Sequence, residues 1–389
     1  MQQIKIRDIL EQEVPLNFYL RQEFVDNIVI RRESGGLTGE LGYIEKGTGQ
    51  HQSNTVYDWN YLARTLQAGD YKDPLKIICT PKEGAGVFQL EGEWYSIRRL
   101  TPLEYWRLQG FKDEDYEKSA ELLCKARLYE RAGRGICVPM LESIFKSFID
   151  FDSVGTLRTF EAFSGVGSQR MALRNLGVKY EHIGIMEVDK SAILSYDAIH
   201  NFDKKDFSGG LTKSQMVEEM TTLNVAYNFS TYENEMPVTY EGVRDLYNAV
   251  KRTNNYGDIT RVDTKDLPDF DFFTYSFPCK NISIAGNQLG MEKGSGTQSS
   301  LVWECERIIR DKKPRYLMME NVKNICGRNH LGFFESWIKL VSDLGYESHW
   351  DVYNAKDYGV PQNRERVIMM SEYKGDNRVK KLPVSAELW

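Results

Sequence analysis

Strand-like and helix-like segments alternate along residues 157–370, and this alternation predicts an α/β fold with a mostly parallel sheet and covering helices. Small-residue turns follow several of the strands, which is typical of a Rossmann-like arrangement. The first 95 residues differ, because glycines are frequent and the β-like pieces are short. We therefore expect a Rossmann-like sheet together with a smaller, loop-rich domain.

The elements of the large sheet can be assigned in chain order from their periodicity. Apolar and β-branched residues predict strands at 157–163, 182–186, 271–276, 316–319 and 366–370. Apolar stripes predict helices at 169–176, 301–310 and 333–344. In the N-terminal region, the clearest β-like pieces are 54–57 and 76–79.

The predicted organisation has two domains. Residues 1–115 form the smaller, loop-rich domain, residues 116–389 form the sheet domain, and residues 203–255 interrupt the second as a partly helical insertion rich in Thr, Asn, Glu and Tyr. In such sheets ligands bind at the carboxyl ends of the strands. The functional residues are therefore expected just after strand ends.

Composition excludes several classes of protein. Apolar residues make up 41% and charged residues 27%, and no apolar run is long enough to cross a membrane. The six cysteines form no CxxC pair, so we expect a reducing cytoplasm and no metal site. The net charge of −6 arises from an even mixture of signs, which neither supports nor excludes a local basic cleft for nucleic acid.

The first candidate site is the turn from Phe163 to Gly167 between a strand and a helix. Its glycines, Gly165 and Gly167, would let the backbone approach a ligand, although a purely structural turn has the same pattern. Glu187 ends the next strand, where an acid commonly binds ribose hydroxyls. A solvated carboxylate is the alternative for Glu187.

A second group of candidates follows later strands. Cys279, after Pro278, could be a nucleophile if its thiolate is stabilised, and the alternative is a buried cysteine that packs as a small hydrophobe. Glu320 ends the following strand. Arg364 and Arg366 lie within the stretch Gln-Asn-Arg-Glu-Arg, just before the last strand.

Taken together, Phe-Ser-Gly-Val-Gly, Pro-Cys, Glu-Asn-Val and Gln-x-Arg-x-Arg, in this order and spacing, resemble the DNA (cytosine-5) methyltransferase family. The resemblance covers nearly all of the chain outside 203–255 and implies the S-adenosylmethionine-dependent methyltransferase fold. Gly257-Asp258-Ile259 resembles the segment that contacts the cofactor adenine, and residues 294–301, ending at Leu301, resemble the stretch before the next helix.

Two further motifs of the family are present but displaced. Residues 99–111 resemble motif IX and residues 132–136 resemble motif X, yet both precede the glycine turn instead of following the Gln-x-Arg-x-Arg motif. The start of the chain, residues 6–11, resembles what should follow its end. The sequence therefore indicates a circular permutation, which is physically reasonable because domain termini often lie close together.

The resemblance implies a mechanism and a set of roles. The target cytosine in double-stranded DNA is flipped out of the helix, Cys279 adds to ring carbon C6, and Glu320 holds the N3 edge. Arg364 orients the base and Arg366 supports it. The cofactor, S-adenosylmethionine, is held by Phe163, Gly165, Gly167, Glu187, Asp258, Ile259, Pro278 and Leu301.

DNA recognition is expected within residues 20–95. Thr65 belongs to a Thr-Leu pair typical of this domain, Ser283 matches a phosphate contact, and Gln50 or Gln52 would fill the space left by the flipped base. The alternative for both glutamines is ordinary loop polarity. The region is short, so we expect a short target site, with the protein acting as a monomer in a bacterial or phage-infected cytoplasm.

Three departures from the family pattern suggest an alternative cofactor. Lys280 follows Pro-Cys, Arg134 lies in motif X, and Gly69 follows the Thr-Leu segment. In the family these positions converge near the transferred group, so two cations and added space suggest an anionic group. The alternative substrate is carboxy-S-adenosylmethionine, giving 5-carboxymethylcytosine. A tRNA cytosine methyltransferase and a non-catalytic DNA-binding relative are the other hypotheses.

Overall fold

The computed structural model describes residues 4–31, 36–45, 47, 51–228, 233–278 and 298–375. The chain separates into two compact units. Unit 1 comprises Met1–Ser143 with Asn354–Arg364, and unit 2 comprises Ile144–Tyr353 with Glu365–Trp389. Division by packing thus differs from the predicted domains 1–115 and 116–389, which remain a prediction.

The strands of the described residues are numbered in chain order. They are β1 (Ile28–Ile30), β2 (Glu40–Ile44), β3 (Thr55–Tyr57), β4 (Ala63–Arg64), β5 (Lys76–Cys79), β6 (Val87–Leu90), β7 (Glu93–Arg99), β8 (Leu157–Ala162), β9 (Tyr180–Met186), β10 (Tyr227–Asn228), β11 (Glu233–Asn234), β12 (Phe272–Tyr275), β13 (Tyr316–Val322), β14 (Tyr346–Asn354), β15 (Gln362–Asn363) and β16 (Glu365–Tyr373).

The α-helices are numbered in the same way. They are α1 (Gln22–Val25), α2 (Pro102–Arg107), α3 (Asp113–Ala120), α4 (Lys125–Arg134), α5 (Val138–Phe148), α6 (Phe151–Val154), α7 (Ser168–Leu176), α8 (Lys190–His200), α9 (Lys213–Thr222), α10 (Tyr240–Arg252), α11 (Val302–Lys312) and α12 (Leu331–Asp343). None of the helices in the described part of the chain is long and apolar enough to cross a membrane.

Unit 2 contains the predicted α/β sheet. Over the described residues its strand order is β14-β16-β13-β12-β8-β9, with β9, β8, β12 and β13 parallel and β16 antiparallel to β13. The central strands β12 and β13 are buried almost throughout, as expected for a sheet covered by helices on both faces. This result confirms the predicted fold class.

The insertion predicted at 203–255 contains α9 and α10 and a short hairpin of β10 with β11. Met216, Met220, Val243 and Leu246 pack into a small apolar cluster together with Ile193 of α8. The segment therefore has a core of its own that is continuous with one helix of the sheet.

Unit 1 contains a second sheet, of order β1-β2-β3-β5-β7-β6 over the described residues, in which only β3 and β5 are recorded as a parallel pair. The two β-like pieces expected from the sequence are β3 and β5. Thr101 begins α2 with a capping box: its hydroxyl accepts from the Glu104 amide while the Glu104 carboxylate accepts from the Thr101 amide. Glu104 also forms a buried bidentate pair with Arg98.

A close backbone approach joins α4 to the 3-10 helix Ala68–Lys72 in unit 1. A Cβ atom at Gly133 would lie 2.5 Å from the backbone carbon and oxygen of Gln67 and 2.6 Å from the amide nitrogen of Ala68. Backbone atoms cannot rotate aside as a side chain can. Gly133 is therefore required by packing, independently of any role in binding.

A buried polar cluster lies in unit 2 and consists of Glu161, Arg170, His182, Tyr196 and His200. The Tyr196 hydroxyl donates to Glu161, and the Arg170 guanidinium lies 5.6 Å from the centre of the Tyr196 ring. Burial raises the pKa of Glu161 to about 7, although the hydrogen bond from Tyr196 opposes this. Burial, assisted by the nearby Arg170 charge, lowers the pKa of His182 to about 3.

We expect Gly133→Ala to lower the free energy of unfolding by about 1–3 kcal/mol, because the added methyl group meets fixed backbone. Urea denaturation measures the change. Gly69→Ala is the matched control, since a Cβ there meets nothing within 4 Å, and its unfolding midpoint should stay close to that of the parent. A parental midpoint for Gly133→Ala would contradict the close approach.

We expect Glu161→Gln to change how stability depends on pH. Because the folded-state pKa of Glu161 is raised to about 7, its contribution is present below the unfolded value and is lost as pH rises through about 7. Glutamine cannot ionise, so the melting temperature of the variant relative to the parent should increase between about pH 5 and pH 8, by an amount on the order of 5 °C.

Thermal melts at several pH values test this expectation. Glu181→Gln, at an exposed glutamate of β9, is the control, and its profile should run parallel to that of the parent. A constant difference between Glu161→Gln and the parent at every pH would show that Glu161 does not titrate in this window.

Candidate active site

The candidate residues of unit 2 lie at one edge of its sheet. β12 pairs in parallel with both β8 and β13, and β8 pairs in parallel with β9. Parallel strands share an edge at their carboxyl ends. Phe163, Glu187 and Pro278 follow β8, β9 and β12, and Glu320 lies near the end of β13. The parallel register therefore places these candidates at or near the carboxyl ends of neighbouring strands, as expected.

The turn after β8 has an unusual backbone. Phe163, Gly165 and Gly167 have φ angles of 56°, 56° and 77°, in the left-handed region. Phenylalanine rarely adopts this conformation, so other contacts must hold it there. The Phe163 amide donates to the Met186 carbonyl at 2.8 Å, and Gly167 precedes the first turn of α7. Strain of this kind at a strand-to-helix turn is characteristic of a ligand-binding loop.

Glu187 joins this turn to the next strand. One carboxylate oxygen accepts from the Gly165 amide at 3.0 Å, and the other accepts from the amides of Val188 and Asp189, both at 2.9 Å. The backbone of Glu187 is held on both sides by the Asn255 side chain. Glu187 is therefore a partly exposed acceptor whose carboxylate is fixed beside the glycine turn.

Asn255 is not among the residues selected from sequence motifs. Its Oδ1 accepts from the amides of Glu187 and Gly257, and its Nδ2 donates to the Glu187 carbonyl at 2.9 Å. The only sequence signal is its position two residues before the Gly-Asp-Ile segment. Asn255 thereby fastens this segment to the end of β9.

Asp258 and Ile259 follow in a buried turn. The Asp258 carboxylate accepts from the Thr260 amide and from Asn224 at 2.7 Å, while Ile259 packs into the main apolar core of unit 2. Leu301 is half-buried against the same core. Both carboxylate oxygens of Asp258 thus accept local hydrogen bonds. A polar contact of Asp258 with an adenine would use the same oxygens as additional acceptors, or it would use the backbone of this residue.

The segment that leads to the predicted nucleophile is anchored by Asn321. The buried side chain of Asn321 donates through Nδ2 to the carbonyl of Phe277 at 3.2 Å, and Phe277 directly precedes Pro278. Cys279, Lys280 and Ser283 lie outside the described residues. Their roles remain predictions.

Glu320 and Arg366 form an ion pair in unit 2. The distance from Arg366 Nε to Glu320 Oε1 is 3.1 Å, and both side chains are largely buried. β13 and β16 are antiparallel with Val322 opposite Arg366, which brings the arginine alongside the acid. An arginine beside a largely buried carboxylate fixes the position of that carboxylate through a charge-assisted hydrogen bond.

Arg364, two residues earlier, has a different environment within unit 1. Its guanidinium donates to the carbonyls of Leu66 at 3.0 Å, Gly133 at 3.0 Å and Gly135 at 2.8 Å. Only 2% of the residue is exposed. Arg364 therefore ties β15 to the end of α4 and to the segment after β4, which is a positioning contact.

One candidate DNA-contact residue of unit 1, Thr65, is the neighbour in sequence of Leu66, whose carbonyl accepts from Arg364. The Thr65 hydroxyl donates to the Asn363 carbonyl at 2.7 Å, so this threonine fastens β4 to β15. The exposed Gln52 accepts from Gln67 Nε2 at 3.0 Å. Buried Lys76 donates to the carbonyl of Ser53, the residue after Gln52. Gln52 is thus an exposed side chain on an anchored turn, and Gln50 lies outside the described residues.

The departures at Arg134 and Gly69 have clear local environments. Arg134 Nη2 is 2.5 Å from the Glu130 carboxylate on the same helix, with about half of the arginine side chain exposed. Gly69 has open space where a side chain would project. Gly69 is exposed, so this open space lies at the surface of unit 1, and Arg134 already has a carboxylate partner.

The sequence is similar to those of a known protein family. Residues 1–150 and 238–387 match the family described as C-5 cytosine-specific DNA methylase. The type II methyltransferase M2.ScrFI of Lactococcus lactis subsp. cremoris is 47% identical over 55% of this chain and 61% of its own length. The orphan methyltransferase M.SssI of Spiroplasma monobiae is 34% identical over 58% of this chain and 64% of its own length.

The chain therefore spans somewhat less than two thirds of the length of these relatives. Among solved structures, the S. pombe Dnmt2 methyltransferase has a TM-score of 0.36 and 14% identity, over 58% of this chain and 50% of that one. At this TM-score and identity, the similarity does not indicate a shared function. Because the family match takes in well over half of the sequence, the protein belongs to the C-5 cytosine-specific DNA methylase family.

Proposed function

We propose that this protein transfers a methyl group from S-adenosylmethionine to carbon C5 of cytosine in double-stranded DNA. The observation that carries the proposal is the buried Glu320–Arg366 pair near the end of β13, the strand beside β12, whose chain continues through Pro278 to Cys279. Membership of the family gives independent support.

The residues at the strand ends fit the proposed cofactor. The left-handed turn from Phe163 to Gly167 leaves the Cβ direction of Gly165 open, and Glu187 is a fixed carboxylate beside it. A carboxylate suits ribose hydroxyls, and apolar Ile259 and Leu301 suit an adenine ring. The cofactor supplies an electrophilic methyl group on its sulfonium.

The residues of the chain perform the remaining steps. The target base leaves the helix, and the Cys279 thiolate forms a bond to C6, which moves electron density toward C5. Glu320 holds the N3 edge, and Arg366 holds Glu320. After C5 has been methylated, a base removes the C5 proton and the bond from C6 to sulfur breaks. Arg364 acts indirectly in this proposal, by fixing the segment that carries Arg366.

Recognition of the DNA is assigned to unit 1. Gln52 is exposed on a turn that Lys76 anchors, and Gln67 holds its amide, so the side chain is pre-oriented for a contact with a base or for filling a vacated stack. Ser283 is assigned to a phosphate. The same region, residues 20–95, reads a short target.

We also propose that the chain is a circular permutant of its family. Residues resembling motifs IX and X, at 99–111 and 132–136, precede the glycine turn. A 47% identical relative aligns over only 55% of this chain and 61% of its own length, as expected when a linear comparison cannot follow a displaced segment. The first element of the large sheet, β8, begins only at Leu157.

Carboxymethyl transfer is the second candidate. The half-exposed cation Arg134 favours an anionic group, with Lys280 as the second cation and Gly69 as a position without a side chain. The ion pair of Arg134 with Glu130 opposes it, because this guanidinium already has a carboxylate partner, which it shares with Arg127 and Arg131. Methyl transfer is therefore the first candidate.

We expect nucleoside mass spectrometry to find 5-methylcytosine in duplex DNA incubated with the protein and an equal mixture of S-adenosylmethionine and its carboxylated form. Cys279→Ser should reduce product by more than about a thousandfold, because the covalent step is lost. Predominant 5-carboxymethylcytosine would establish the second candidate, and Arg134→Asn should then restore methyl transfer.

Substrate controls complete this experiment. Duplex DNA carrying 5-fluorocytosine should trap the parent covalently and leave Cys279→Ser untrapped. Product on tRNA in place of DNA would assign the activity to RNA. The absence of both product and adduct on any substrate would leave a DNA-binding relative without catalysis.

We expect a rearranged chain, beginning at residue 156 and carrying residues 1–150 after residue 389 through a flexible linker, to keep methyl transfer within about tenfold of the parent. The matched control opens the chain inside β13 and should be inactive, because the sheet loses its central strand. An inactive but folded rearranged chain, judged by circular dichroism and thermal melting, would argue against the permutation.

A further inference from the structure

The glycine turn of unit 2, residues 163–167, contacts the C-terminal end of α8. His200, the last residue of that helix, is buried, and its Nε2 lies 3.0 Å from the carbonyl oxygen of Val166. Val166 sits in the middle of the turn, between two left-handed glycines. A side chain distant in sequence therefore holds the backbone of the turn directly.

The hydrogen bond has a defined direction. A carbonyl oxygen only accepts, so Nε2 must carry the proton. Burial, with the Arg170 charge as a second cause, lowers the pKa of His200 well below its usual value, so the ring is neutral with its single proton on Nε2. The other nitrogen, Nδ1, then needs no acceptor.

Packing makes the same contact close. A Cβ atom on Gly167 would lie 2.4 Å from His200 Nε2 and 2.7 Å from Tyr196 Cε2. The two rings of α8 are themselves 4.7 Å apart. The turn therefore rests on a floor formed by Tyr196 and His200, and only glycine fits at position 167.

The floor is fixed in turn by charged and polar contacts. Tyr196 donates to Glu161 on β8, the strand that leads into the turn. Arg170 and Arg174 of α7 donate to the carbonyls of His200 and Ile199 at 3.4 and 3.2 Å. The strand before the turn and the helix after it are thus both tied to the end of α8.

We propose that His200 is a positioning residue for the cofactor: by donating to the Val166 carbonyl, it holds the glycine turn in the conformation that binds the adenosyl group. The inference rests on the proposed function, because it assigns the turn to S-adenosylmethionine. His200 does not touch the reacting atoms. Its loss weakens cofactor binding by leaving the turn free to adopt other backbone angles.

Three substitutions separate the hydrogen bond from the packing. Glutamine can place an amide donor where Nε2 lies, asparagine is one atom shorter, and leucine fills the space without a donor. We expect His200→Leu to raise the dissociation constant of S-adenosylhomocysteine by about 5- to 100-fold, since a buried carbonyl loses its partner. His200→Gln should stay within about threefold of the parent.

Isothermal titration with S-adenosylhomocysteine measures binding without catalysis, and hydrogen exchange of residues 163–169 in the free protein reports on the turn itself. His330→Leu, at another buried histidine of unit 2, is the control and should alter neither. In steady-state kinetics, His200→Leu should raise KM for S-adenosylmethionine and leave KM for DNA unchanged.

The outcomes distinguish the two proposals. If the parent binds S-adenosylhomocysteine and His200→Leu binds it equally with parental exchange rates, the role of His200 is refuted and the proposed function stands. If the parent does not bind it, the proposed cofactor is wrong, and this inference fails with it. Should His200→Leu not fold, His200→Asn compared with His200→Gln decides: equal affinities would overturn the proposal.

Discussion

The parallel pairing of β12 with β8 on one side and β13 on the other is the constraint on which the rest of unit 2 depends. Backbone hydrogen bonds in this register bring the ends of strands that are far apart in sequence to a common edge. Without it, the glycine turn, Glu187, Pro278 and Glu320 would be unrelated residues on separate loops. The central strands β12 and β13 are buried almost throughout, so a slip in register would disrupt the close packing of their side chains against the covering helices.

The polar groups at this edge are held by hydrogen bonds and an ion pair within the protein. Glu187 accepts from three backbone amides, Asn321 holds the Phe277 carbonyl, and Glu320 is paired with Arg366. Each contact lowers the entropy that a ligand or substrate would otherwise have to remove on binding. The side chains of the site are therefore fixed by hydrogen bonds within the protein.

The two arginines of the Gln-Asn-Arg-Glu-Arg stretch show how adjacent motif residues can serve different purposes. Arg364 faces three backbone carbonyls of unit 1, whereas Arg366 faces Glu320 in unit 2. The division between the compact units falls between Arg364 and Glu365. Residues of one short motif thus belong to both units. Arg364 contributes to the packing of unit 1, and Arg366 forms the ion pair of unit 2.

Sequence alone determined the fold class, because the alternation of strand and helix patterns is local and each segment carries its own periodicity. It also determined that Phe163 and Glu187 follow strand ends, whereas Glu320 lies inside β13, which continues to Val322. Only the tertiary structure decided which partner each of these residues has. The roles of Asn255 and His200 and the pairing of Arg366 with Glu320 depend on contacts between segments distant in sequence, and no local pattern encodes such contacts. The physical reason is that a side chain's role follows from the atoms packed against it, which are set by strand register and helix docking rather than by neighbours in the chain.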